Sequence, residues 1–162
     1  MKVTVLGAGN MGAAFVKQLS RAGHQVTVTA RNLDKALAVA QANPGAVAVA
    51  PAGAAASADA IVLATGYGDA VSALQSLGDL RGKVLIDCTN PLSLNGDGSL
   101  SLSLGSTTSG AEEIEKLATG AQVVKAFNTY GWENFANSAY PNAAGLKPVM
   151  FYCGDHDAAK AT

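Results

Sequence analysis

The sequence predicts a doubly wound α/β fold, a mainly parallel sheet with helices on both faces. Short β-rich runs alternate with helical patterns along the chain. Two of those runs, Ile61-Val62-Leu63 and Val84-Leu85-Ile86, are continuously apolar, as strands covered on both faces are. A glycine-rich turn, Gly7-Ala8-Gly9-Asn10-Met11-Gly12, joins the first strand pattern to the first helical one.

Residues 2–6 read as the first strand and 11–22 as the first helix. That helix puts Met11, Ala14, Phe15, Leu19 and Ala22 on one face, with Lys17, Gln18 and Arg21 away from it. Gly23 ends it, because glycine accepts the left-handed conformation a helix terminus needs. Residues 25–30 form the second strand, with Val26 and Val28 facing one way and Thr27 and Thr29 the other. A helix over 32–42 follows, broken by Asn43-Pro44-Gly45. Residues 46–49 are a short third strand, and Pro51 suits the start of a small alanine-rich helix. The fourth and fifth strands are 59–65 and 83–88, joined by a helix over 69–77. Leucines at 92, 94, 100, 102 and 104 flank Asn95-Gly96-Asp97-Gly98, which predicts a β-hairpin placed where a substrate flap would lie. Ser109 opens another helix, and Glu112 three residues on completes a capping box. A sixth strand at 123–127, a seventh at 149–152 and a new helix near Asp155 complete the pattern.

The 162 residues suit one domain with a real core, and the formal charge of -1 offers no electrostatic case for nucleic acid or an acidic membrane. No apolar run approaches the roughly 18 residues that span a bilayer. Met1-Lys2 does not lead into a signal peptide, so a cytoplasmic location is expected. Cys88 and Cys153 both end apolar runs and read as buried free thiols. Cys153 and His156 have a ligand-like spacing but too few companions for a metal site.

The glycine turn is a G-x-G-x-x-G in the context its mechanism needs, after a strand and opening an amphipathic helix. Gly7 permits the turn, Gly9 admits a pyrophosphate to the backbone, and Gly12 allows close helix–strand packing. Amides at the helix start, including those of Asn10 and Met11, then meet the anion. This is the signature of a Rossmann-type dinucleotide site. The end of the second strand selects the dinucleotide. NAD sites place an acid there for the ribose hydroxyls, whereas this chain has Ala30-Arg31-Asn32. Arg31 offers a planar fork for a 2′-phosphate, Lys35 a second positive charge one turn on, and Thr29 a hydroxyl. NADP(H) is the expected cofactor. Thr65-Gly66-Tyr67, Thr89-Asn90-Pro91 and Asn128-Thr129 end later strands and should converge on the same edge. No tyrosine precedes a lysine by four residues, no serine sits in a nucleophile elbow, and His24 falls on the opposite edge. Hydride transfer to a flavin-like ring therefore suits the chain better than carbonyl reduction, which needs a general acid.

Six segments carry a family resemblance. They are residues 6–12, Ala22-Gly23-His24-Gln25-Val26, Ala30-Arg31 with Lys35, Asp87-Cys88-Thr89-Asn90-Pro91-Leu92, Val123-Val124-Lys125-Ala126-Phe127-Asn128-Thr129 and Cys153-Gly154-Asp155. In this order they resemble the NADPH-dependent reductases of the deazaflavin coenzyme F420 and their bacterial relatives. The resemblance implies reversible hydride transfer between NADP(H) and a deazaflavin, with no covalent intermediate. It also implies a homodimer, and a 2′-phosphate held by Thr29, Arg31 and Lys35. Flavin, quinone or ferric acceptors are the further options, as in the related cytosolic domain of six-transmembrane metalloreductases. Family members continue for a further strand and helix, so the chain reads as a single NADP-binding Rossmann domain over 1–162, truncated at its C-terminal end.

The expected cofactor site is thus Gly7, Gly9, Asn10, Met11, Gly12, Thr29, Arg31, Lys35, Thr65, Gly66, Tyr67, Asn90, Pro91 and Asn128. No catalytic residue and no metal are assigned. The partner expected is a small-molecule hydride acceptor, coenzyme F420 or a flavin. Two other readings stay open. Pyrroline-carboxylate reductases and β-hydroxyacid dehydrogenases share the first motif but need a long helical second domain. A non-catalytic NADP sensor or partner-binding domain would bind the nucleotide without turnover.

Overall fold

Alternation of buried residues along each strand decides which helix covers which face of the sheet. In the computed structural model, which describes residues 1–137 and 149–162, β1 (Lys2–Leu6) turns Val3 and Val5 to one face and Leu6 to the other. Helix α1 (Asn10–Arg21) and helix α2 (Leu33–Gln41) cover the valine face through Phe15, Val16 and Ala36. Strand β2 (Gln25–Thr29) lies between those helices in sequence and adds Val26 and Val28 to the same face. The short β3 (Val47–Ala48) ends this half of the sheet.

The other half runs in the opposite direction from β1. Strand β4 (Ala60–Leu63) pairs in parallel with β1, and β5 (Val84–Asp87) with β4. Strand β4 sends Ile61 and Leu63 to one side and Val62 to the other, which is why its run is apolar throughout. Helix α3 (Ala70–Leu77) covers the Ile61 side with Leu74 and Leu77. Strands β6 (Leu92–Leu94) and β7 (Leu100–Leu102) form a separate antiparallel hairpin. Helix α4 (Gly110–Leu117) adds Ile114 to the same core as α3, and β8 (Gln122–Ala126) pairs in parallel with β5. Helix α5 (Trp132–Ala136) packs on α1, and β9 (Tyr152–Cys153) runs antiparallel to β8 before α6 (Asp157–Lys160). The sheet order is β3-β2-β1-β4-β5-β8-β9, a Rossmann-type doubly wound sheet with its switch point between β1 and β4.

The predicted elements form with a few displacements. The capping box is present: Ser109 N donates to Glu112 Oε2 at 2.6 Å, and Glu112 N donates to Ser109 Oγ at 3.2 Å. The helix expected from Pro51 does not form. Residues 51–57 make successive turns instead, because Gly53 sits at a φ of +78° and reverses the helical sense. The last strand is Tyr152–Cys153 rather than 149–152. Gly154 then passes so close to Val123 that a Cβ there would lie 2.6 Å from its carbonyl oxygen, which fixes the pairing at that point. On α1, Val16 is buried and Ala22 is exposed, because Ala22 caps the helix beyond its last turn.

The closest glycine packing among the described residues joins α1 to the turn that precedes it. A Cβ on Gly12 would fall 1.9 Å from the Gly7 carbonyl oxygen, and one on Gly7, whose φ is +122°, would fall 2.5 Å from the Ala64 oxygen. Gly9, by contrast, has nothing within 4 Å of where its Cβ would be. Gly12→Ala should therefore destabilise the fold by about 1–3 kcal/mol, since the obstacle is backbone and must shift. Gly9→Ala should stay within about 0.5 kcal/mol of the unaltered chain. Denaturant unfolding of both variants checks this, and an undisturbed Gly12→Ala would contradict the packing.

The two cysteines part company. Cys88 is buried, and that burial, followed by the neighbouring Asp87 carboxylate, pushes its thiol far above the usual range. Cys153, expected to be buried, is exposed because β9 is an edge strand. A thiol-exchange reagent should label Cys153 quickly and Cys88 only after unfolding. Rapid labelling of both in the folded protein would contradict this assignment.

Candidate functional site

A reversal of strand order leaves a crevice at the carboxyl ends of the strands on either side of it. Here that crevice lies beyond β1 and β4, and the glycine turn forms its floor. The Gly7 amide donates to the Thr29 carbonyl at 2.8 Å, tying the turn to the end of β2. Gly9 precedes α1 with extended backbone and no side-chain cap, and the first turn of α1 carries no acidic residue. The positive end of the helix dipole therefore faces the crevice without a competing carboxylate. Asn10 stands exposed at this end, Met11 is half-buried, and Gly12 lies beneath the turn.

The crevice opens into a cleft of about 540 Å³. Gly7 and Gly9 line one wall, Arg31 and Lys35 a second, and Thr65 and Gly66 a third. Asn32, between the two cations, caps α2 by accepting from the Lys35 amide at 3.2 Å. Thr29 does not reach the cleft. Its side chain is fully buried beneath the strand end, and Ala30 lines the wall in its place. The hydroxyls of Thr29 and Thr65 are both buried without a hydrogen-bond partner among the described residues. Of these two, only Thr65 belongs to the cleft wall. An orphaned hydroxyl, a bare glycine face at a helix start and two adjacent cations form a donor set that fits a phosphorylated dinucleotide.

The remaining predicted residues gather at a second, smaller cleft of about 260 Å³ beyond β5 and β8. Asn90, Pro91 and Asn128 line it, together with Leu102 and Leu104 from the hairpin side and Lys125. Asn90 Nδ2 donates to the Asn128 carbonyl at 2.7 Å, joining the two strand ends. Tyr67 stands between the two groups in sequence and packs with Pro91 over Gly110. A Cβ on Gly110 would lie 3.2 Å from Pro91 Cδ and 3.3 Å from Tyr67 Cε2. Burial, helped by Glu113 and Asp87, raises the pKa of the Tyr67 hydroxyl and keeps it protonated.

Sequence reasoning missed three features of this edge. The first is a buried ion pair, Lys125 Nζ to Asp87 Oδ2 at 2.9 Å. Asp87 Oδ1 also accepts from the Thr89 amide at 2.9 Å and from its hydroxyl at 2.7 Å, while Lys125 donates to the Thr89 carbonyl. A charge inside each of two otherwise apolar strand runs was the available signal. The second is Phe127, which holds a φ of +64° at the tip of β8. Its ring lies edge-on to Phe15 with centroids 4.8 Å apart, and Phe135 closes the cluster. Nothing in the sequence marks that conformation. The third is Asp69, on the cleft wall with its carboxylate 3.2 Å from Arg31. It sits in a short 3-10 turn (Tyr67–Asp69) whose direction no periodicity announces. Among the described residues no cluster suits a metal ion, and no helix is long and apolar enough to cross a membrane.

Comparison with known proteins places this geometry. A crystal structure of a protein provisionally named an F420-dependent NADP-reductase, from Arthrobacter sp. FB24, superposes with a TM-score of 0.88 at 31% identity. The match covers 99% of this chain and 77% of that one. An imine reductase from Pseudomonas sp. shares the fold at 24% identity and a TM-score of 0.68, over 99% of this chain and 49% of its own. D-amino acid dehydrogenase from Sinorhizobium medicae is 55% identical over 47 residues, which are 29% of this chain and 11% of that protein. The chain thus matches about a tenth of the length of such curated relatives, a local likeness only. The family model described as NADP oxidoreductase, coenzyme F420-dependent, matches residues 2–91. The chain therefore belongs to that family of NADP oxidoreductases.

Proposed function

We propose that the chain transfers hydride between NADP(H) in the larger cleft and a deazaflavin or flavin-like acceptor in the smaller one. The observation that carries this reading is the make-up of the smaller cleft. It has apolar walls from Pro91, Leu102 and Leu104 and one fixed side-chain amide, that of Asn90, which donates to the Asn128 backbone carbonyl. Such walls suit a flat heterocycle, and the Asn90 amide supplies orientation. The name of the Arthrobacter relative and the family description support the same class of acceptor.

Each group on the chain then has a binding or positioning task. The open face of Gly9 and the start of α1 receive the pyrophosphate. Arg31 and Lys35 hold the 2′-phosphate, Arg31 through its planar fork and Lys35 as a point charge. The orphaned Thr65 hydroxyl gains a partner when the cleft fills. Tyr67 and Pro91 form an apolar partition beside the reacting edge, and the Asp87–Lys125 pair holds the Asn90-Pro91 turn in place. NADPH, when bound, supplies the hydride from its reduced nicotinamide, and the acceptor takes it together with a proton from water. No residue of the chain needs to form a covalent bond. The work done here is orientation of two rings at contact distance.

Mixing the chain with NADPH and, in turn, coenzyme F420, FMN and a ferric chelate tests the reading through loss of NADPH absorbance. Oxidation with coenzyme F420 or FMN is expected. Tight NADPH binding without oxidation by any of these acceptors would contradict the proposal and favour a nucleotide-sensing role.

A further inference from the structure

Asp69 stands in the larger cleft opposite Arg31, and the tasks assigned above leave it unexplained. Its Oδ1 accepts from Arg31 Nη1 at 3.2 Å, which links the end of β2 to the turn after β4 across the crevice. The carboxylate does no capping work: Asp69 precedes α3, yet its side chain makes no cap hydrogen bond. The Ser72 hydroxyl donates to the Asp69 backbone carbonyl, not to the carboxylate. The side chains of Arg31 and Asp69 are 86% and 57% exposed, so the pair contributes little to stability. An acid at this position is costly for a site that must hold a phosphate monoester carrying a charge of about -1.5 to -2.

We propose that Asp69 is a specificity-determining residue, which competes with the 2′-phosphate for Arg31 and so limits how strongly the cleft prefers NADP(H) over NAD(H). This inference rests on the placement of that phosphate at Arg31 and Lys35. Two effects act in the same direction. The Asp69–Arg31 contact occupies one nitrogen of the guanidinium, and the phosphate must displace it or accept the remaining donors at a poorer angle. The carboxylate also repels a phosphate held at Arg31, since both charges would share one wet cleft. Charges of this size and separation change affinity about three- to tenfold. Among the described residues lining the cleft, Lys35 carries the only other charge, and it attracts the phosphate. Without the acid, the cleft would bind NADPH more tightly and release it more slowly. Asp69 therefore keeps the cofactor exchangeable, as a reversible hydride carrier must be.

The test uses the adenosine ends of the two cofactors, which report on this cleft without involving the acceptor. The full chain and its Asp69→Asn variant are titrated calorimetrically with 2′,5′-ADP and with 5′-AMP, at low and at high salt. Asp69→Asn is expected to tighten 2′,5′-ADP about three- to tenfold and to leave 5′-AMP within about twofold. The gain should shrink at high salt, because both charges face water. Unchanged or weaker binding of 2′,5′-ADP by the variant would overturn the proposal, since Asp69 would then be a bystander or a support for Arg31. An equal gain for both ligands would overturn it too, since the acid would then obstruct the adenosine and not the phosphate. If the unaltered chain binds 5′-AMP as well as 2′,5′-ADP, the placement of the phosphate falls first, and this inference falls with it.

Discussion

The close approach of α1 to its own preceding turn is the constraint from which the rest of the site follows. Gly12 lies so near the Gly7 carbonyl that no side chain can stand between them. That contact presses the start of α1 against the end of β1 and directs the helix dipole along the crevice. Gly7, at a φ that L side chains rarely adopt, turns the chain sharply enough for its amide to reach the Thr29 carbonyl. The same turn leaves Gly9 with an open face. Three glycines thus do three different things: Gly12 and Gly7 serve the packing and the turn, and Gly9 leaves an open face on the crevice. Arg31 follows β2, which pairs with β1 and is tied to the turn at Thr29, and so stands on the same cleft.

The opposite wall is organised by charge rather than by close packing. Asp87 is wholly buried and Lys125 nearly so, and removing two charges from water is expensive unless their hydrogen bonds are made. Here they are: Thr89 gives Asp87 an amide and a hydroxyl, and its carbonyl takes the lysine. The network holds the residue immediately before Asn90, so the amide that bridges to Asn128 starts from a fixed point. Phe127 contributes from the other side. A left-handed conformation costs about 1–2 kcal/mol for a residue with a side chain, and the contacts of its ring with Phe15 and Phe135 offset that cost. Strain of this kind at a strand tip is characteristic of positions where geometry serves a ligand. The consequence is a smaller cleft whose polar groups are set before anything enters it.

Most of the fold was legible because its signals are periodic. Continuous apolar runs at 61–63 and 84–86 marked central strands, the leucines around Asn95-Gly96-Asp97-Gly98 marked the hairpin, and Ser109 with Glu112 marked a helix start. That the glycine turn and Arg31 with Lys35 would line one cleft was legible because each sits at the carboxyl end of a predicted parallel strand. Other features were not. Alanine content around Pro51 suggested a helix, but the left-handed Gly53 lets the chain make only turns. Strand alternation placed Thr29 correctly as facing away from Thr27's neighbours but could not tell that Ala30 would take the cleft wall. Asp69, Phe127 and the short helix at Trp132–Ala136 depend on contacts between distant segments, which no local pattern encodes. Lys125 lay in view inside an apolar run, yet its partner 38 residues away gave it meaning only once β5 and β8 were paired.

The wall formed by Arg31 and Lys35 is the feature that the proposed preference of the larger cleft for NADP(H) rests on. The most direct measurement is a calorimetric titration of NADPH and NADH, side by side, into the unaltered chain and into Arg31→Asp. A guanidinium hydrogen-bonded to a phosphate is worth roughly 1.5–3 kcal/mol. The unaltered chain should therefore bind NADPH at least about tenfold more tightly than NADH. Arg31→Asp should remove most of that preference while relatively sparing NADH. Equal affinity for the two cofactors in the unaltered chain, or an equal loss of both in the variant, would contradict it.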